Sequence, residues 1–149
     1  MYELSNGQQL YELPSFYSPH EPPNVLFLPG SRQFITIWGG PSSKKLQPSR
    51  HLALYDSRNG ERLGEFLSRY GAAQPELSPD GRWLVAETWH TLGFQLWDVE
   101  KRQPLFKLHP KMPRWRWLAV DLLRFSPNGK WLVAANSKHG LLAAYEINP

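Results

Sequence analysis

Lys44, Lys45, Arg50, Lys111, Arg114, Trp115 and Arg116 are the residues of this 149-residue chain best equipped for recognition chemistry. They fall in two Pro-containing stretches, GPSSKKLQPSR at 40–50 and HPKMPRWR at 109–116, whose composition is that of loops. Ammonium and guanidinium groups draw anionic partners over long range. The run Arg114-Trp115-Arg116-Trp117 sets aromatic rings beside guanidinium groups, the residue types that dominate binding hot spots. Such rings also stack on nucleobases. Alternation along an extended chain turns Trp115 outward and Trp117 towards packing.

Groups for catalysis are sparse. His20, His51, His90, His109 and His139 are scattered, with no pair at helical spacing and no carboxylate cluster, so no metal-ligand pattern emerges. The chain has no cysteine, which excludes a disulfide scaffold, a thiol nucleophile and any Cys-ligated zinc or iron–sulfur site. No serine sits in a nucleophile elbow, and neither glycine-rich phosphate motif occurs. The expectation is a protein that is not an enzyme and carries no cofactor and no metal. Asp121 is the one acid set inside an apolar run, and it is expected to line a water-filled channel or face an arginine rather than act in catalysis.

The elements that must position these groups come from a repeat. Residues 76–99, ELSPDGRWLVAETWHTLGFQLWDV, recur as 124–147, RFSPNGKWLVAANSKHGLLAAYEI. Each unit sets an Asp-Gly or Asn-Gly turn between apolar runs, the strongest short-range signal for a β-hairpin. Residues 1–13 align without a gap on 54–66, and 1–14 read as the end of one strand, an Asn-Gly turn and a following strand. Fourteen prolines and eleven glycines suit many short strands joined by turns. A chain of this length buries roughly 68–70% of its unfolded surface as one domain.

The order of SPDG turn, strand, and strand ending in Trp97-Asp98 resembles the WD40 β-propeller repeat. Tyr2-Glu3, Tyr55-Asp56, Trp97-Asp98 and Tyr145-Glu146 take the place of the family's terminal dipeptide, at spacings of 53, 42 and 48 residues. The resemblance implies an all-β fold, a partial β-propeller of about three four-stranded antiparallel blades, with repeats at 8–56, 62–98 and 105–147 in one segment spanning 1–149. In strand order the units are c-d, a-b-c-d, a-b-c-d and a-b-c, with strand a of the last blade at 118–125. Three blades do not make a ring, since propellers typically have about 4 to 8. Completion is therefore expected from other copies of the chain or from missing blades of a longer parent. Trp83, Trp97, Trp131 and Phe34 are expected to fill the space between blades.

In such blades the b-c and d-a loops share one end, and loops on a rigid scaffold are where binding concentrates. Those loops hold Lys44, Lys45, Arg50, Arg69, Lys111, Arg114, Arg116 and Lys138 against Glu21, a surplus of seven positive charges on a chain of net charge +4. The expected function is that of a non-catalytic scaffold offering this basic end to an acidic protein or peptide. The alternatives are a segment of a propeller enzyme or ligand sensor with a site at the central channel, and a nucleic-acid-binding module. No signal segment and no apolar run near 18 residues is present, which implies no membrane partner and a cytoplasmic location.

Overall fold

The structure, a computed structural model, describes residues 8–13, 24–39, 50–66, 72–88, 93–108, 120–137 and 140–148. These residues form an all-β fold. Strands β1 (Val25–Phe27), β2 (Gln33–Gly39), β3 (Arg50–Asp56) and β4 (Arg62–Phe66) make a first antiparallel sheet in the order 1-2-3-4. Strands β5 (Ala73–Leu77), β6 (Trp83–Thr88), β7 (Gly93–Asp98) and β8 (Gln103–Leu108) make a second in the same order. A third sheet holds β9 (Leu122–Phe125), β10 (Trp131–Asn136) and β11 (Leu141–Glu146).

The repeated turns fold through the same hydrogen bonds. The Ser78 hydroxyl donates to Asp80 and accepts from the Trp83 backbone N–H at 2.8 Å, while Asp80 accepts from the Arg82 N–H at 3.0 Å. In the second copy the Ser126 hydroxyl donates to Asn128 at 2.7 Å and accepts from the Trp131 N–H at 3.0 Å, and Asn128 accepts from the Lys130 N–H at 3.1 Å. Gly81 is required twice over. Its φ of +74° lies in the left-handed region, and a Cβ there would stand 2.5 Å from Pro29 Cδ.

Register fixes which side chains share a face. Ile35, Leu52, Leu54 and Phe66 form the front face of the first sheet and pack on Leu84, Ala86, Trp97 and Val99, the rear of the second. Trp83, Val85, Phe94 and Leu96 form the front of the second sheet and pack on Leu123, Leu132, Ala134 and Ile147 of the third. The second sheet is thus covered on both sides. Its strand β7 is buried along its whole length, where strict alternation would have left one face wet. Fully burying an aliphatic or aromatic side chain is worth about 1.5–3 kcal/mol, so these two interfaces hold the chain together.

Packing between sheets corrects one sequence expectation. Trp83, Trp97 and Phe34 are buried, but Trp131 is 45% exposed where its register equivalent Trp83 is 5% exposed. The reason is position in the stack: Trp131 lies on the front of the third sheet, and nothing among the described residues lies against that face.

The start of the chain also differs in part from expectation. Residues 8–13 form no strand, only an isolated bridge at Gln9, while residues 1–7 and 14 lie outside the described residues. Yet Leu13, which aligns with Phe66, packs on the rear of the first sheet against Phe34, Ala53 and Tyr55. Phe66 packs in the same way on the rear of the second. Tyr11 anchors the segment by donating its hydroxyl to the Ser57 carbonyl at 2.8 Å.

Candidate functional site

The short turns of successive sheets lie together at one end of the stack, as the approach of Pro29 to Gly81 and of Pro79 to Gly129 requires. Antiparallel order then carries the connections β2–β3, β4–β5, β6–β7, β8–β9 and β10–β11 to the opposite end. The strand ends that the basic stretches connect lie here: 40–49 joins β2 to β3, and 109–121 joins β8 to β9.

Of the candidate binding residues, Lys44, Lys45, Lys111, Arg114, Trp115 and Arg116 lie outside the described residues, as does Trp117. Arg50 opens β3 and pairs through its backbone with Gly39, so the loop closes one residue earlier than the sequence implies. Its position at the strand end places its Cα at the loop end of the first sheet. Of the histidines, His51 is a β3 residue by its backbone, and His20, His90, His109 and His139 lie outside the described residues.

At the loop end two described side chains are held by hydrogen bonds. Asp121 is exposed and precedes β9, its carboxylate accepting from both the N–H and the hydroxyl of Ser137. This corrects the expectation that Asp121 lies inside a strand spanning 118–125. The strand begins at Leu122, and Asp121 clips the loop end of β9 to that of β10. Of that expected strand, residues 118 and 119 lie outside the described residues. The Thr88 hydroxyl donates to the Gly93 carbonyl at 3.1 Å and closes the β6–β7 end.

Glu87, on β6, is the carboxylate that sequence reasoning missed. It has the same parity as Trp83 and Val85, so it faces the third sheet, where burial pushes its carboxyl above the usual range and the Val120 backbone N–H partly offsets this. The sign follows. An acid whose folded-state pKa is raised binds its proton more tightly when folded, so its contribution falls as pH rises through that value. Acidification from pH 7 towards pH 5 should therefore relieve the Glu87 penalty. Glu87→Gln keeps an acceptor for Val120 and is expected to match or exceed the wild type in urea-melt stability at pH 7. Its advantage should shrink as the pH falls to 5; an advantage that grows on acidification contradicts this account.

A second feature lies between β1 and β5, edge strands of the first and second sheets. A wide-mouthed cavity of about 490 Å³ separates β1 from β5 and is lined by Leu26, Phe27, Leu77, Ser78 and Glu76 among others. The Glu76 carboxylate accepts from the Arg124 guanidinium at 2.7 Å. Burial raises the Glu76 carboxyl above its ordinary range, and Arg124 opposes that shift.

Among the described residues no group of three or more His, Asp or Glu side chains comes together in a metal-holding arrangement. No helix among them is long and apolar enough to cross a membrane. No family model matches the chain, and no curated protein matches it.

Proposed function

We propose that the chain is a WD40-like β-propeller segment serving as a non-catalytic protein-interaction scaffold, completed by copies of itself or by blades of a longer parent. Its basic loop end receives an acidic protein or peptide. One observation carries this reading: sheets of equivalent register are mated front to rear twice in succession, which is how blades succeed one another. The concentration of positive charge in the loop-end connections supplies the rest, because a field of one sign steers oppositely charged partners.

The test is a fluorescein-labelled oligoglutamate peptide followed by anisotropy. Binding is expected at low salt, weakening as ionic strength rises and the Debye length falls from about 30 Å to about 8 Å. Replacing Lys44, Lys45, Lys111 and Arg114 together by Ala is expected to weaken it about tenfold or more, since these charges set the local field. Affinity unchanged in that variant sinks the loop-end reading. A single-stranded oligonucleotide that binds more tightly, with a steeper salt slope, would move the same end to nucleic acid.

The cavity between β1 and β5 favours one further reading, a ligand sensor with its site beside the axis. Its lining mixes Val25, Leu26, Phe27 and Leu77 with Glu76, Ser31 and Ser78, and Glu76 is paired with Arg124, the kind of setting in which a few polar groups orient a ligand. Saturable small-molecule binding abolished by Glu76→Gln would support that alternative.

A further inference from the structure

Among the described residues, the two ends of the stack of sheets are complementary. The third sheet has three strands among the described residues, and its outermost strand, β11, has an open edge. Ile147 N–H donates to the Lys130 carbonyl, so the alternation of an antiparallel pair turns the backbone groups of Leu142, Ala144 and Glu146 towards that edge. The other two outer edges are blunted. Strand β8 carries Pro104 and Lys107, and β4 carries the Arg62–Glu65 ion pair. Strand β11, LLAAYE, has neither Pro nor Lys, and such an edge is a template for another strand.

Exposure on the adjoining face follows the same line. Phe94 and Leu142 are equivalent by register, yet Phe94 is 2% exposed and Leu142 is 77% exposed. Leu122, also exposed, lies across Ala135 from Leu142, and the half-exposed Trp131 shares that face. At the opposite end of the stack, residues 8–13 lie on the rear of the first sheet as a fourth strand lies on a neighbouring sheet, with Leu13 in the role of Phe66. Among the described residues, one end of the stack carries a segment in the place of a neighbour's fourth strand, and the other end a sheet of three strands. The second sheet separates them, so one chain cannot join them.

We infer that residues 8–13 of one copy add to β11 of a second copy as its fourth strand. The front of the third sheet then docks on the rear of the first sheet of the copy that donates the strand. This inference rests on the propeller-segment reading and names the partner that completes it. The register follows from β3 and β4, where Leu52 faces Phe66, Ala53 faces Glu65 and Leu54 faces Gly64. By equivalence Leu13 meets Leu142, Glu12 meets Ala143 and Tyr11 meets Ala144. Contacts of this head-to-tail kind are heterologous, and two copies that satisfy both ends close into a ring of six sheets.

The absence of cysteine makes cross-linking unambiguous. A chain carrying Glu12→Cys mixed with one carrying Ala143→Cys is expected to give, on mild oxidation, a species of twice the 17.2 kDa chain mass. Neither variant alone should cross-link. Unmodified protein is expected to sediment at the doubled mass. Leu142→Lys changes a side chain already in solvent and should leave the single chain folded, while raising the dimer's dissociation constant about tenfold or more, as loss of a central apolar contact does. A folded monomer at all concentrations overturns the inference, as does like-with-like cross-linking. A doubled mass without the mixed cross-link overturns strand donation but leaves the propeller-segment reading standing. Failure to bind oligoglutamate bears only on the loop end.

Discussion

Trp97→Ala is expected to cost about 3–5 kcal/mol of folding stability, the range for removing a fully buried large aromatic side chain. Trp97 has no solvent exposure and is the largest side chain in the cluster joining the first sheet to the second. It faces Leu84 across β6 and β7 and shares its cluster with Leu52, Leu54 and Phe66 from the neighbouring sheet. Deleting it opens a cavity bordered by two sheets, and neither can collapse into it without losing its own ladder. Domains of this size are stable by only about 5–15 kcal/mol, so the variant should unfold at a much lower urea concentration or fail to accumulate folded. Trp131→Ala is the matched control. Half-exposed on the front of the third sheet, Trp131 should cost well under half as much in dilute protein, where no second copy covers it. Equal losses for the two tryptophans would mean that the sheets are not mated as described.

The same comparison separates what local sequence carries from what it cannot. Turns and strands were legible because their causes are local: a left-handed glycine after Asp80 or Asn128, a hydroxyl three residues back from each, and β-branched runs between. Within strand β5, Gln74 sits at a φ of +46° beside a bulge that the sequence did not announce. Trp131 was misjudged because Trp-Leu-Val-Ala is the same string in both repeats. What differs is whether another sheet follows, and no residue within the strand records that. Asp121 was misplaced because the start of β9 depends on Ser137, sixteen residues later, whose backbone and hydroxyl hold its carboxylate. The equivalence of Leu13 and Phe66 was legible in the ungapped alignment of their turns, even though the strand itself is not formed. Charge at the loop end was read from topology. Composition gives how many lysines and arginines there are, and only the alternation of short turns with long connections assigns the stretches that hold them to connections at one end of the strands.

The two copies of the Ser-Pro-Asx-Gly turn supply a second test, in which chemistry is held constant and burial varies. Ser78→Ala removes the acceptor of the Trp83 N–H and a donor to Asp80. Both Ser78 and Trp83 are buried, so the N–H loses its partner where water cannot readily replace it. A buried polar group left unsatisfied costs about 1–3 kcal/mol. Asp80 adds a pH signature. Its carboxyl is held below its usual value first by the Ser78 hydroxyl and also by the Arg82 N–H. A lowered carboxylate contributes stability that is present above its unfolded pKa and lost as pH falls through the folded one. Ser78→Ala should therefore cost most at neutral pH and less in acid. Ser126→Ala removes the same two hydrogen bonds from Trp131 and Asn128, but there the serine is only partly buried and the tryptophan is half exposed. Water can take the place of the hydroxyl, so the loss should be about 0.5–1 kcal/mol, with no acid dependence because asparagine does not titrate. Urea melts of both variants at pH 7 and near pH 3.5 measure the difference. If the third sheet is covered by a second copy at high protein concentration, Trp131 becomes buried, and the cost of Ser126→Ala should rise towards that of Ser78→Ala. A cost of Ser126→Ala that does not change with concentration would place Trp131 in water in the assembly as well, and would count against docking through that face.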